Sequence, residues 1–134
     1  GKESSIAAEA LAGRRDVRIL DGDHGTRKFV RVTRASLIAL APRGYGGSSF
    51  RFFEAAQLGA VPMLVGDIDT RPFKGILDWS SASFYAPDAA SAARLIDEAD
   101  PHELAGMGER AERLWREDLT YGRWCGHVLT ELER

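Results

Sequence analysis

LIALAPRGYGGSSFRFFEAAQLGAVPMLVG, residues 37–66, is the stretch that decides the fold. It opens with an apolar run, residues 37–41, short enough for a strand buried on both faces. The next six residues, Pro42-Arg43-Gly44-Tyr45-Gly46-Gly47, form a loop whose glycines permit positive φ and let a ligand approach the backbone. Ser48 and Ser49 are natural N-cap residues, and residues 50–58 carry a helical pattern that Gly59 ends. Residues 61–65 read as a second buried strand. Strand, glycine loop, helix and strand make a βαβ unit of a parallel sheet, which puts the loop at a carboxyl edge, where ligands bind.

The helix after this loop offers free backbone N–H groups and the positive end of its dipole. Arg51 lies in its first turn and Arg43 in the loop before it, so an anion such as a phosphate is the natural guest. Glu54 follows Arg51 by three residues, which sends both side chains from one helix face. Such a pair suits a nucleotide, with the cation for phosphates and the carboxylate for sugar hydroxyls. It equally suits a surface ion pair with no ligand at all, and the residues alone leave both readings open.

The surrounding residues resemble the nucleotide-sugar-binding half of exostosin-like glycosyltransferases. The resemblance is carried by Pro42-Arg43-Gly44, Ser49-Phe50-Arg51-Phe52-Phe53-Glu54-Ala55, Val61-Pro62-Met63, Pro72-Phe73 and Trp79, in that order. It is dense from residue 40 to residue 79 and continues loosely to the C-terminus. Tyr45 and Gly46 depart from it, because many relatives carry basic residues after Pro-Arg-Gly.

About four strands alternate with helices along the chain, so the expected fold is α/β, a Rossmann-like parallel sheet flanked by helices. The resemblance implies that residues 1–134 form a single donor-binding domain, the C-terminal lobe of a two-lobe GT-B glycosyltransferase, without the acceptor-binding lobe. The whole enzyme would move a sugar from a nucleoside diphosphate, UDP in the family, to a saccharide or glycan acceptor with inversion. In that scheme Gly46, Gly47, Ser48 and Ser49 cradle the diphosphate, with Arg43 a secondary candidate. Arg51 stabilises charge on the leaving phosphate, and Glu54 holds ribose hydroxyls or donor sugar. No general base is legible in the chain, and an N-terminal acceptor lobe or partner chain would supply it. Neither a cofactor nor a metal is expected, and the isolated chain is expected to be inactive. A eukaryotic member would sit in the Golgi lumen and a bacterial one in the cytoplasm. The alternative is a non-catalytic nucleotide- or carbohydrate-binding module of the same fold. A dehydrogenase is disfavoured, because its glycine fingerprint would stand after the first strand with an acid about twenty residues on.

Composition agrees with an ordinary globular domain: 134 residues, 44% hydrophobic and 28% charged. A net charge of −2 argues against a nucleic-acid partner, which needs a basic face. Cys125 is the one cysteine, so no internal disulfide forms, and its helical, apolar context predicts a buried small hydrophobe. No apolar run reaches membrane-spanning length, and residues 1–5 carry no secretory pattern.

In chain order, residues 4–13 read as a short helix, 17–20 as a strand, 21–25 as a polar turn and 26–35 as a helix. After residue 66, Asp67-Ile68-Asp69 has the spacing of a metal-binding carboxylate pair, yet aspartate is also a common turn former. The turn reading is preferred, with Asp67 near the donor sugar. Ile76, Leu77 and Trp79 are expected in the core. Residues 83–86 read as a last strand, 89–99 as an alanine-rich helix, and Asp100-Pro101 as the start of another. The final helix, 121–132, has a clean apolar stripe, expected to be partly uncovered or packed against a missing lobe. His102 and His127 are expected at the surface or at helix ends.

Overall fold

The computed structural model describes residues 36–42 and 50–133, leaving aside the side chains of Pro42 and Phe50. Within them, β1 (Ile38–Pro42), α1 (Phe50–Gln57), β2 (Val61–Val65) and β3 (Phe84–Ala86) come first, with a short 3-10 turn at Trp79–Ser81. The helices α2 (Ala89–Glu98), α3 (Pro101–Asp118) and α4 (Tyr121–Glu133) follow. The strands form one parallel sheet in the order β1-β2-β3. This is the α/β, Rossmann-like arrangement that the βαβ reading predicts. The strand expected at 17–20, the helices at 4–13 and 26–35, and the turn between them lie outside the described residues.

Every residue of β2 is buried. Its register explains how two faces are served by one five-residue run. Ala41, Leu64 and Tyr85 stand side by side across the strands and pack with Phe52 of α1, Trp79, and Leu114, Trp115 and Leu119 from the end of α3. On the opposite face Met63, Val65 and Ala86 meet Ala92, Leu95 and Ile96 of α2. Val61 meets Leu104 and Met107 of α3 at the amino end. Layers of helix, sheet and helix result, and a continuous apolar strand is what they require.

Pro62 sits inside this central strand, where a missing N–H would ordinarily break a ladder. The register removes the cost. Val61 N–H donates to the Leu37 carbonyl on the β1 side at 2.9 Å, so the next nitrogen faces β3. The β3 ladder begins only one residue later, at the pair Met63–Phe84.

The turn from α1 into β2 is equally determined. Gly59 has φ +81°, Ala60 N–H donates to the Ala55 carbonyl and Gly59 N–H to the Ala56 carbonyl, each at 3.1 Å. This is the Schellman pattern, with glycine in the left-handed position. Asp88 caps α2 by accepting from Ser91 N–H at 2.7 Å, and Asp100 caps α3 by accepting from His102 N–H at 3.0 Å, with Pro101 at the first helical position.

Two expectations for α4 are corrected. Its stripe does form a helix, but Cys125 is exposed rather than buried. His127 is buried rather than at the surface. The cause is non-local: Phe73, from the loop after β2, packs edge-on to Trp124 at 4.8 Å and against the His127 ring at 5.1 Å. His127 Nε2 lies 3.0 Å from the Asp118 carbonyl, which requires the proton on Nε2. The helix is therefore held along that edge, while Tyr121 and Leu132 remain 87% and 76% exposed.

Gly108 of α3 is buried against the α1 turn, and a Cβ there would run into the Gly59 carbonyl. Gly108→Ala should cost about 1–3 kcal/mol in urea unfolding. Gly126→Ala in α4 meets nothing and should gain up to about 1 kcal/mol. Equal effects at the two positions would contradict the packing of α3 on that turn.

Candidate functional site

Parallel strands end together, so β1 and β2 deliver their following segments to one edge. Pro42 pairs with Val65, which sets Gly66 beside the end of β1. Helix α1 starts at that edge and descends along the Ala41–Leu64 face. Its inner side is fixed by Phe52, Ala55 and Ala56, all buried. Burying those three positions turns Arg51 and Glu54 outward. Arg51 Nη1 donates to Glu54 Oε2 at 3.0 Å, with the two side chains 48% and 44% exposed. The pair is thus real and solvent-facing, in the first turns of the helix, where the dipole favours anions. Its energy as an ion pair is small, about 0–1 kcal/mol for an exposed pair.

Of the other expected site residues, Arg43, Gly46, Gly47, Ser48 and Ser49 lie outside the described residues. Asp67 is exposed, immediately beyond buried Gly66. The structure therefore joins Arg51 to Glu54 and puts Asp67 on the same edge of the sheet.

Asp69 has a different role. Arg71 grips it three times: Nε to Oδ1 at 2.9 Å, Nη2 to Oδ2 at 2.7 Å, and the backbone N–H to Oδ1 at 3.2 Å. Lys74 Nζ donates to the Asp69 carbonyl at 2.8 Å and stands 3.8 Å from Oδ2. Arg71 Nη1 also donates to Ser83 Oγ at 3.1 Å, and buried Ser83 donates on to the Trp79 carbonyl at 2.7 Å. A carboxylate held by a forked guanidinium is a turn-closing group, which matches the turn reading of Asp67-Ile68-Asp69. Burial raises the Asp69 pKa, but the hydrogen bonds and charge of Arg71, aided by Lys74, outweigh it and the net shift is downward.

Sequence reasoning missed Arg71 and Ser83. The aspartate two residues before Arg71 is a local sign of the fork, but Ser83 lies twelve residues away and only the β2–β3 pairing brings it near. Trp79 is core as expected, with its Nε1 donating to the Pro72 carbonyl at 2.6 Å and its ring 5.2 Å from Phe52. Tyr85 fastens the same loop, its hydroxyl donating to the Gly66 carbonyl at 2.7 Å. No helix among the described residues is long and apolar enough to cross a membrane.

Fold and edge together define a Rossmann-like α/β domain with a charged pair at the helix following its first described strand. Comparison with known proteins narrows this class. The chain is 40% identical over 71 residues to Exostosin-1 of Drosophila melanogaster, covering 49% of this chain and 9% of that protein. It is 32% identical over 98 residues to the Exostosin-1 homolog of Caenorhabditis elegans, covering 71% of this chain and 26% of that protein. Exostosin-1a of Danio rerio is 36% identical over 55 residues, 41% of this chain and 8% of the relative. No family model matches the chain. The chain is exostosin-like, and it spans about a quarter or less of the length of these curated relatives.

The Asp69–Arg71 fork gives a pH dependence of defined sign. A carboxylate whose folded pKa is depressed stabilises the fold above its unfolded value and loses that contribution as pH falls through the folded one. Asp69→Asn should lower the unfolding midpoint at neutral pH, and the gap from wild type should close below about pH 4. A gap that stays constant down to acid would show that the fork contributes nothing through charge.

Proposed function

We propose that this chain is the donor-binding part of a glycosyltransferase that uses a nucleoside-diphosphate sugar, a UDP-sugar by the exostosin resemblance. The observation that carries the reading is the Arg51–Glu54 pair, exposed at the amino end of α1 inside the exostosin-like segment. Arg51 meets the diphosphate together with Gly46, Gly47, Ser48 and Ser49, which precede α1 in the sequence. Glu54, one turn on, accepts from ribose hydroxyls, and Arg43 adds charge to the phosphates. The sugar passes to a saccharide acceptor with inversion. The acceptor oxygen bonds to the anomeric carbon as the bond to the diphosphate oxygen breaks, and the acceptor proton goes to a base from outside this chain. Arg51 acts by neutralising charge as it builds on the departing phosphate. Residues 1–134 are one lobe in this account. The exposed side of α4 is the surface it gives to the acceptor-binding lobe or a partner chain.

The test is calorimetric titration of wild type, Arg51→Ala and Glu54→Ala, each first shown to be folded, at one salt concentration. Losing a charge-assisted bond of about 1.5–3 kcal/mol should weaken UDP roughly ten- to a hundredfold in Arg51→Ala. Arg51→Ala should weaken inorganic phosphate as well. Glu54→Ala should weaken UDP more than phosphate, because its partners are sugar hydroxyls. If both variants bind UDP as wild type does, the pair is a surface ion pair and the proposed site is wrong.

A further inference from the structure

Helix α4 is held along one side only. His127 is buried and Trp124 leans on Phe73, while the rest of the helix is exposed. At about 3.6 residues per turn, Tyr121, Cys125, Val128, Leu129 and Leu132 fall within one arc of about 100°. All five are exposed, so an apolar face runs the length of the helix in water. Gly122 lies beside that arc, and a Cβ there would meet nothing. An unbroken apolar face of this extent marks a contact surface.

The charges on α4 specify what meets it. A helix is stabilised by acids at its amino end and by bases at its carboxyl end, and α4 has the reverse order. Arg123 stands in its first turn, Glu131 and Glu133 stand in its last, and there is no acid at the start and no base at the finish. An antiparallel helix laid along the apolar face offsets this. Its amino end comes to lie beside Glu133, and any acids at its carboxyl end lie beside the start of α4. A second copy of α4 has that charge order and the same apolar face. A membrane surface would instead call for bases beside the apolar arc, where Glu133 stands.

We infer that two copies of this chain pair through α4, antiparallel about a two-fold axis near His127. The pairing sets Leu132 against the partner's Gly122, where the absent side chain leaves room, and Leu129 against the partner's Cys125. Glu133 of each copy reaches the free N–H groups at the start of the other copy's α4. Such a face is self-complementary and closes at two copies. With five apolar side chains from each copy it lies near the lower bound of about 1,200 Å² for a specific interface, so the dimer is a reversible one. A partner chain, rather than an acceptor-binding lobe, then covers α4, whatever the carboxyl edge of the sheet binds.

Sedimentation velocity of the full chain, from about 1 µM to about 200 µM, tests the pairing. Wild type should pass from monomer to dimer across that range and go no further. Leu129 is 61% exposed, so Leu129→Glu should keep the fold, with the unfolding midpoint of wild type in dilute solution, and weaken the dimer at least about tenfold. Glu133→Lys should weaken it about three- to thirtyfold, because each dimer loses two contacts with a helix start, and the loss should shrink at high salt. Cys125 is the single thiol and lies on the face, so a short bismaleimide should join wild-type dimers through it and fail to join Leu129→Glu. A wild type that stays monomeric at the highest concentration overturns the inference and leaves α4 to the acceptor-binding lobe. Dimers that survive Leu129→Glu put the contact on another face, and association indifferent to Glu133→Lys denies the antiparallel order; either result overturns it. Assembly beyond two copies is nonspecific adhesion of the apolar face and overturns it as well.

Discussion

Strand β2 has neither a free face nor a free edge. β1 and β3 bond to its sides, α1 and the end of α3 cover the Leu64 face, and α2 with the start of α3 covers the Met63 face. Its large apolar side chains each contribute about 1.5–3 kcal/mol when buried. That burial is available only if the chain enters the strand in one register, since a slip of one residue exchanges the faces. The entry is set by Gly59 in its left-handed turn and by Pro62, which fits only where β3 has not yet begun. The close approach of α3 at Gly108 to the same turn ties the register to the helix layer.

Everything at the carboxyl edge follows from that register. β1 and β2 end level, so α1 begins beside the point where the chain leaves β2. The inner side of α1 is used up on Phe52, Ala55 and Ala56, and its charged pair has nowhere to go but outward. The loop after β2 is tied to the strand layer by Tyr85 and Ser83 and to α4 by Phe73. The edge thus combines an exposed cation at a helix start with a braced loop, a suitable frame for a ligand that carries phosphates at one end and hydroxyls at the other.

Much of this was legible in residues 37–66, because strand, helix and strand each have local signatures: an apolar run, a capped amphipathic period, a glycine stop. The Arg51–Glu54 pair was legible for the same reason, since helical spacing alone decides that side chains three apart are neighbours. What the sequence concealed depends on contacts between distant segments. The period of α4 was plain, but which of its sides is held was decided by Phe73, some fifty residues earlier, so Cys125 and His127 exchanged places relative to expectation. Arg71 looked like any loop arginine until β3 brought Ser83 beneath it. Gly108 is where two backbones come too close for a side chain, which no local feature of the helix announces.

The central claim is that the edge of this domain binds a uridine diphosphate. A thermal-shift panel of UDP, GDP, CDP and inorganic phosphate on the unmodified chain tests it most directly, because a ligand that binds only the folded state stabilises it by RT ln(1 + L/Kd), with L the free ligand concentration, and so raises the unfolding temperature. The account predicts a rise with UDP that grows with the logarithm of its concentration and exceeds those with GDP and CDP, and a smaller one with phosphate. An unfolding temperature that none of the nucleotides moves at millimolar concentration would contradict it.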